Sequence, residues 1–388
     1  MADGGRSLLP YQVVMAVISA SIAGIVAVLG ELRDELGFSD TEIGVIVTAG
    51  FAAAFISQIT LARYADRGHG RQMAAAGIAL SAVALLTMVL VDGVMWWFAA
   101  RGILGFAAGL ALPGLRRAAT VLDPDKVGEN LGRLIVGEVG GFLAGPIVAA
   151  VFAEIFGVRA PFLVFAIVMV MFLPFALRLP PDQGAIDTGR RSSFSLLKVR
   201  RLQGSLLVIG GYFCLIGAWE SVLPVMFQDR GGGSLEVGIT FTLVSLPILF
   251  FSTTAGRFAD RVGPPKVAVI GTGIVSFCMI WFGLLPGLVW PVVLMLAFGV
   301  ADAFGFTAAQ VAVSRAVAQE RQAAALGLMG AVEVLGAAMT ALPAALLYDH
   351  HGEGWAWAAT GSFSLSVVLL GASRFRGTQP ATRPSTTT

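Results

Sequence analysis

Long apolar runs constrain this chain more than any other feature. Apolar residues make up 56% of its 388 positions and charged residues only 13%, whereas about a quarter of the residues of a soluble protein are charged. The apolar residues gather in runs of about 17 to 25, the length that crosses a bilayer as a helix. The runs are continuous and do not alternate with polar residues, which disfavours a membrane barrel. We predict an all-α membrane protein with twelve transmembrane helices.

A short polar loop occurs twice, each time between two of the apolar runs. The first copy, ARYADRGHGR, covers residues 62–71, and the second, GRFADRVG, covers residues 256–263. This repeat predicts two pseudo-symmetric six-helix bundles, an arrangement typical of secondary transporters whose substrate site lies between the halves. The predicted parts are an N-terminal bundle, a cytoplasmic linker, a C-terminal bundle and a disordered cytoplasmic tail, at 1–178, 179–201, 202–373 and 374–388.

Basic residues fall mostly on one side of the predicted membrane. With the N-terminus inside, the only basic residues outside are Arg33, Arg159 and Arg230. An excess of arginine and lysine in cytoplasmic loops is the usual determinant of orientation. We therefore expect a multi-pass protein of a prokaryotic plasma membrane, with both termini in the cytoplasm and lipid around the bundle.

The repeated loop resembles the signature loop of the major facilitator superfamily. Asp66, Arg67, Gly70 and Arg71 match that signature, although Ala62 replaces its leading glycine and one extra residue precedes Gly70. The resemblance implies two halves that alternately open a central site to either side of the membrane. It also implies a gating role for both copies of the loop, and the alternative is that their arginines only set the topology. The residues concerned are Asp66, Arg67, Arg71, Asp260 and Arg261.

Two further motifs strengthen this resemblance. Arg101, followed four residues later by glycine, resembles the arginine motif of the family's fourth helix. On the fifth helix, Gly141, Gly145 and Pro146 resemble the motif associated with the family's drug–proton antiporters, and Pro146 is expected to bend that helix.

Charges inside the apolar runs are candidates for proton coupling or substrate binding. A charge at the centre of a transmembrane helix costs roughly 2.5–3.5 kcal/mol on insertion scales, so it is seldom kept without a role. Buried acids also take up protons more readily than exposed ones. By the rise per residue, Arg101 and Glu220 lie at a similar depth, which suggests a pair across the halves. The alternatives are a static ion pair and protonated structural acids. The five residues are Arg101, Glu138, Glu220, Asp302 and Glu333.

Aromatic residues on the seventh and tenth helices are candidates for the wall of a cavity that takes an apolar or cationic substrate. Ordinary packing inside the bundle is the alternative. The residues are Tyr212, Phe213, Trp219, Phe304 and Phe306.

These observations favour a secondary active transporter that exports a small molecule, a drug or a metabolite, in exchange for protons. The alternatives are a symporter or uniporter for sugars or organic anions, and a receptor or scaffold that transports nothing. The sequence has no phosphate-binding loop of the nucleotide-driven type, no spacing of metal ligands and no nucleophile–histidine arrangement. We therefore expect no enzyme activity, no metal, no cofactor beyond the proton gradient and no nucleic-acid partner, and we expect a monomer.

Overall fold

The computed structural model describes residues 8–122, 127–178, 193–318 and 321–375, and within them the chain is helical throughout. A short 3₁₀ segment, Ser193–Lys198, precedes the seventh of twelve long helices. These are α1 (Leu9–Leu36), α2 (Asp40–Tyr64), α3 (Gly70–Leu90), α4 (Val94–Leu122), α5 (Val127–Phe156), α6 (Ala160–Leu177), α7 (Arg200–Asp229), α8 (Ser234–Val262), α9 (Pro264–Phe282), α10 (Val289–Arg315), α11 (Gln322–His351) and α12 (Glu353–Phe375).

These helices have the length and composition of membrane spans. In the described part of the chain, 11 are long and apolar enough to cross a bilayer, and α8 contributes a shorter apolar stretch, Ser234–Ile248. A helix satisfies its own backbone hydrogen bonds, which is what the interior of a bilayer demands. The prediction of an all-α, multi-pass membrane protein is confirmed.

Helix packing repeats between the two halves of the chain. In the first half α1 packs on α5, α2 on α4, and α3 on both α4 and α6. In the second half α7 packs on α11, α8 on α10, and α9 on both α10 and α12. The halves meet mainly through α2 against α11 and α5 against α8, with α1 against α7 between them. The bundle boundaries given above, and the form of the linker and tail, stay predictions.

Glycines on α5 allow its backbone to touch the backbone of α1. A Cβ atom on Gly141 would lie 2.1 Å from the carbonyl oxygen of Ala16, and one on Gly145 would lie 2.3 Å from that of Ala20. Any side chain there would push the helices apart, which is the role that small residues play between membrane helices. Pro146 lies inside α5; the bend predicted for it stays a prediction.

Candidate transport site

An ion pair in the middle of the bundle joins the two halves. Arg101 on α4 donates from Nη2 to Oε2 of Glu220 on α7 over 3.0 Å, and their side chains are only 3% and 4% exposed. Room for the guanidinium comes from Gly50 on α2, where an added Cβ would lie 2.9 Å from the arginine Cζ. The sequence-predicted pair is thus brought into direct contact; its role in transport stays a prediction.

Burial makes the stability of this pair depend on both of its charges. Removing two charges from water costs several kcal/mol per ion, and the mutual attraction offsets that cost only while both partners are charged. The Nε atom of Arg101 has no hydrogen-bond partner among the described residues. Neutralising Glu220 would therefore leave a buried cation uncompensated at the junction between the halves.

A second buried acid, Asp302 on α10, lies against α7 within the second half of the chain. Its Oδ2 accepts a hydrogen bond of 3.1 Å from the hydroxyl of Tyr212, and its side chain is buried. The other carboxylate oxygen, Oδ1, is also buried and has no partner among the residues that the structure describes. Of the two carboxylate oxygens of Asp302, only Oδ2 therefore has a hydrogen-bond partner in the described part of the chain.

Two of the five predicted aromatic residues, Phe213 and Phe306, pack around a third, Tyr212, which is the hydrogen-bond partner of Asp302. The ring centroids of Tyr212, Phe213 and Phe306 lie 5.4 to 6.3 Å from one another. Trp219 lies apart, two turns farther along α7, and its indole nitrogen donates to the Met279 sulfur on α9. Phe304 packs instead against two phenylalanines of α8, Phe251 and Phe258.

Glu138 and Glu333 occupy a third charged region, between α4, α5 and α11. Glu138 forms an ion pair of 3.5 Å with Arg116 of α4. The same arginine attracts Glu333, which is half-buried, while Glu138 repels it. Arg116 was not among the charged residues that the sequence singled out; the available signal was its position as the last residue of the apolar span Val94–Arg116.

The two copies of the repeated loop differ in local structure. In the first, a five-residue helical turn, Ala65–His69, contains Gly68 with a φ of 89°, which only glycine adopts readily. Arg67 lies over the ring of Tyr64, and the side chain of Asp66 lies outside the described residues. In the second, Asp260 pairs with Arg315 of α10 over 2.8 Å. Arg71 is half-buried and Arg261 is exposed.

A cluster of contacts that the sequence did not predict closes one end of the bundle, here called the Arg33 end. The guanidinium of Arg33, at the end of α1, reaches Asp229 at the end of α7 over 2.6 Å and Asp40 over 2.8 Å. Because Asp229 belongs to the other half, this arginine ties the halves together. The available signal was a basic residue, Arg33, among the acids at the end of α1, which are Glu31, Asp34 and Glu35.

Further hydrogen bonds reinforce the Arg33 end across the same junction. The Thr41 hydroxyl of α2 donates to Asp349 of α11 over 2.6 Å. The backbone N–H of Ser234, at the start of α8, donates to Glu31 of α1 over 2.7 Å. Together with Arg33 these contacts shut the space between the halves at this end.

No group of three histidine, cysteine, aspartate or glutamate side chains in the described part of the chain is placed to hold a metal ion. The charged side chains at the centre instead form contacts with one another or with a hydroxyl group: Arg101 pairs with Glu220, and Asp302 accepts from Tyr212. Carboxylates and an arginine inside a membrane bundle are groups that can form ionic contacts and carry protons.

Sequence comparison relates the chain to known membrane transporters. The family model described as Major Facilitator Superfamily matches residues 12–234 and 208–388. A relative named Multidrug resistance protein MdtG, from Proteus mirabilis (strain HI4320), is 24% identical over 265 residues, which cover 64% of this chain and 65% of the relative. The matched stretch thus spans slightly less than two thirds of that relative's length.

Solved structures share the fold. The nucleoside transporter NupG aligns with a TM-score of 0.70 and 17% identity, over 96% of this chain and 99% of its own. A bacterial homolog of the human lysosomal transporter Spinster aligns with a TM-score of 0.76 and 15% identity, over 97% of this chain and 98% of its own. At such low identity these likenesses concern the fold alone.

Proposed function

We propose that this chain, which belongs to the major facilitator superfamily, is a proton-coupled exporter of small molecules. As a member of that family it is a transporter and not an enzyme. The proposal adds the direction, the coupling ion and the mechanism, in which the two halves alternately open a central site to each side of the plasma membrane. Both termini lie in the cytoplasm, and the Arg33 end faces outward.

The buried ion pair between Arg101 and Glu220 is the observation that carries proton coupling. It crosses the junction between α4 and α7, so its strength contributes to how firmly the halves are held together. A proton on Glu220 removes the attraction and leaves Arg101 buried without a counter-charge, which favours separation of the halves. Protonation and conformation are thereby linked. The other acids available for proton exchange are Asp302, Glu138 and Glu333.

Closure of the Arg33 end supports alternating access. Arg33, Thr41 and Ser234 all form hydrogen bonds across the junction at that end. Such contacts hold one state and must break in the other, which is how a transporter of two rocking halves is gated. In the proposed cycle the described state is closed toward the outside.

Export is supported by the kind of relative that the chain resembles. The Proteus mirabilis relative is named for multidrug resistance, and the motif of Gly141, Gly145 and Pro146 resembles that of drug–proton antiporters. A drug or a drug-like metabolite is therefore the proposed substrate, moved outward as protons move in.

One observation favours a second candidate, transport of a sugar or an organic anion by symport or uniport. The unpartnered Nε–H of Arg101 is a donor that suits a carboxylate or a hydroxyl of a substrate. Because Glu220 already neutralises this arginine, we rank this candidate second.

Reconstitution into liposomes tests both candidates. A pH gradient is imposed, proton flux is followed with an internal pH dye, and chloramphenicol, ethidium and benzoate serve as neutral, cationic and anionic probes. We expect at least one of the first two to move against its gradient with opposite proton flux, and Glu220→Gln to abolish that coupling. Flux that ignores the pH gradient for every probe, or proton flux in the same direction as benzoate, would overturn the proposal.

A further inference from the structure

Three cations lie together in the chain at the end of the bundle opposite the Arg33 end. Because α8 begins beside Glu31 at the Arg33 end, its last turn and the first turn of α9 lie at the other end. Arg257 and Arg261 on α8 and Lys266 on α9 are exposed. Within the part of the chain that the structure describes, none of these three side chains forms an ion pair.

The acid between these cations is already neutralised. Asp260 directly precedes Arg261, but its carboxylate pairs with Arg315 of α10 over 2.8 Å. In the first copy of the repeated loop, by contrast, Arg67 lies over the ring of Tyr64, with its Cζ atom 5.7 Å from the ring centroid. The second copy therefore leaves its positive charges available to an anion from outside the protein.

A rigid turn fixes the end of α8 relative to the start of α9. Gly263 has a φ of 106°, which other residues rarely adopt, and its N–H donates to the carbonyl of Ala259 over 2.8 Å. Pro264 and Pro265 follow as the first residues of α9, and their rings restrict φ to helical values. A segment that is already rigid loses little conformational freedom when a ligand binds to it.

Apolar side chains that the protein leaves uncovered lie beside these cations. Phe258, Val262 and Ile270 are 46%, 40% and 51% exposed. Phe258 and Val262 each adjoin an arginine in the sequence, and Ile270 lies one turn beyond Lys266. A free phosphate would leave this apolar surface in contact with water, whereas a molecule with an anionic head and hydrocarbon chains covers both kinds of surface.

We propose that Arg257, Arg261 and Lys266 bind the phosphate of an anionic phospholipid. An arginine can donate two parallel N–H bonds to a phosphate, and the lysine adds a third positive charge. The acyl chains of the lipid then cover Phe258 and Val262. The lipid is a bound partner and not the transported molecule, so this inference goes beyond the proposed function and does not depend on the direction or coupling of transport.

Native mass spectrometry of the purified protein in detergent tests this site by counting bound lipids. The protein is titrated with phosphatidylglycerol and with phosphatidylcholine, which has the same acyl chains and a zwitterionic head. We expect Arg257→Gln, Arg261→Gln and Lys266→Gln each to weaken binding of phosphatidylglycerol about fivefold, because each basic residue near an anionic lipid contributes about that much. Binding of phosphatidylcholine should stay unchanged.

A second pair of cations at the same end of the bundle supplies the matched control. Lys198 and Arg200, at the start of α7, are also exposed. We expect Arg257→Gln with Arg261→Gln to weaken phosphatidylglycerol binding about 25-fold, and Lys198→Gln with Arg200→Gln, which removes the same charge, to weaken it less than about twofold. Arg257→Lys with Arg261→Lys keeps the charge and should retain most of the binding. Thermal unfolding midpoints of all variants are measured in parallel.

The outcomes separate a lipid site from other anion binding. Equal losses from the two glutamine pairs would show that phosphatidylglycerol responds to surface charge anywhere, and would overturn the site. Displacement of the lipid by an equal concentration of inorganic phosphate would overturn it too, because the acyl chains would then contribute nothing. A loss confined to the Arg257 and Arg261 pair supports the site, even where the liposome experiment shows no proton coupling and the proposed function fails.

Discussion

At the scale of single residues, Arg101 and Glu220 show how a charge pair inside a membrane protein differs from one on a surface. Both side chains are almost fully buried, and they touch only because they lie at the same depth on helices from different halves. Burial makes the pair costly to form and still more costly to break on one side.

We therefore expect Glu220→Ala to lower the free energy of unfolding by about 3–5 kcal/mol, because it leaves the guanidinium buried and unpaired. The double variant Arg101→Leu, Glu220→Met should recover most of that loss, since well-packed apolar residues often replace buried ion pairs without penalty. Thermal unfolding of the purified proteins measures both. A double variant no more stable than Glu220→Ala would contradict this account.

At the residue scale, the sequence predicted contacts whose partners lie at the same depth in the bundle. The rise per residue was enough to match Arg101 with Glu220. Trp219 lies seven residues beyond Tyr212 on α7, about 10 Å along the axis. Its contact with Met279 depends on how α9 packs against α7, which no local pattern in the sequence specifies.

At the scale of helices, contact between α1 and α5 is set by backbone and not by side chains. Gly141 and Gly145 lie against carbonyl oxygens of α1, at distances that leave no room for a methyl group. The sequence predicted a bend at Gly141, Gly145 and Pro146, because proline lacks the N–H that continues a helix, whereas the structure places the two glycines against the backbone of α1.

A neighbouring glycine supplies the control for this packing role. Gly140 has nothing within 4 Å of an added Cβ, whereas a Cβ on Gly141 would meet Ala16 at 2.1 Å. We expect Gly141→Ala to lower the unfolding midpoint and transport rate, and Gly140→Ala to be neutral or stabilising by up to about 1 kcal/mol, the usual gain from replacing a helical glycine. Equal effects of the two changes on the unfolding midpoint would rule out the close approach of α1 and α5.

At the scale of the whole molecule, contacts at the Arg33 end join helices from the two halves and close one side of the bundle. The sequence predicted twelve helices in two repeats because apolar length and the repeated loop suffice for that. It did not predict this closure, since pairing of Arg33 with Asp229 depends on how two distant helix ends meet. Tertiary contacts of this kind have no local pattern in the chain.

Opening of the Arg33 end can be followed by spin labels on Glu35→Cys and Leu235→Cys in a background with Cys214→Ala and Cys278→Ala. We expect Arg33→Ala and Asp229→Ala to increase the fraction of molecules in which the two spin labels are far apart. The free-energy difference between the closed and open states should change by about 1 kcal/mol or less, because partly exposed ion pairs contribute little to stability. Arg230→Ala is the control, since its partner Glu353 lies in the same half. Unchanged distance distributions in the first two variants would contradict a gating role.

Contact between the backbones of α1 and α5 also has a consequence for how these two helices can move. Arg33 lies at the far end of α1, and Glu138 lies on α5. Helices that touch through glycine have no long side chains between them to slip into a new arrangement. We therefore expect the two helices to move as one body, so that a change at Glu138 would also move Arg33. In the proposed cycle the slow step is then expected to be separation of the halves, and not rearrangement within either of them.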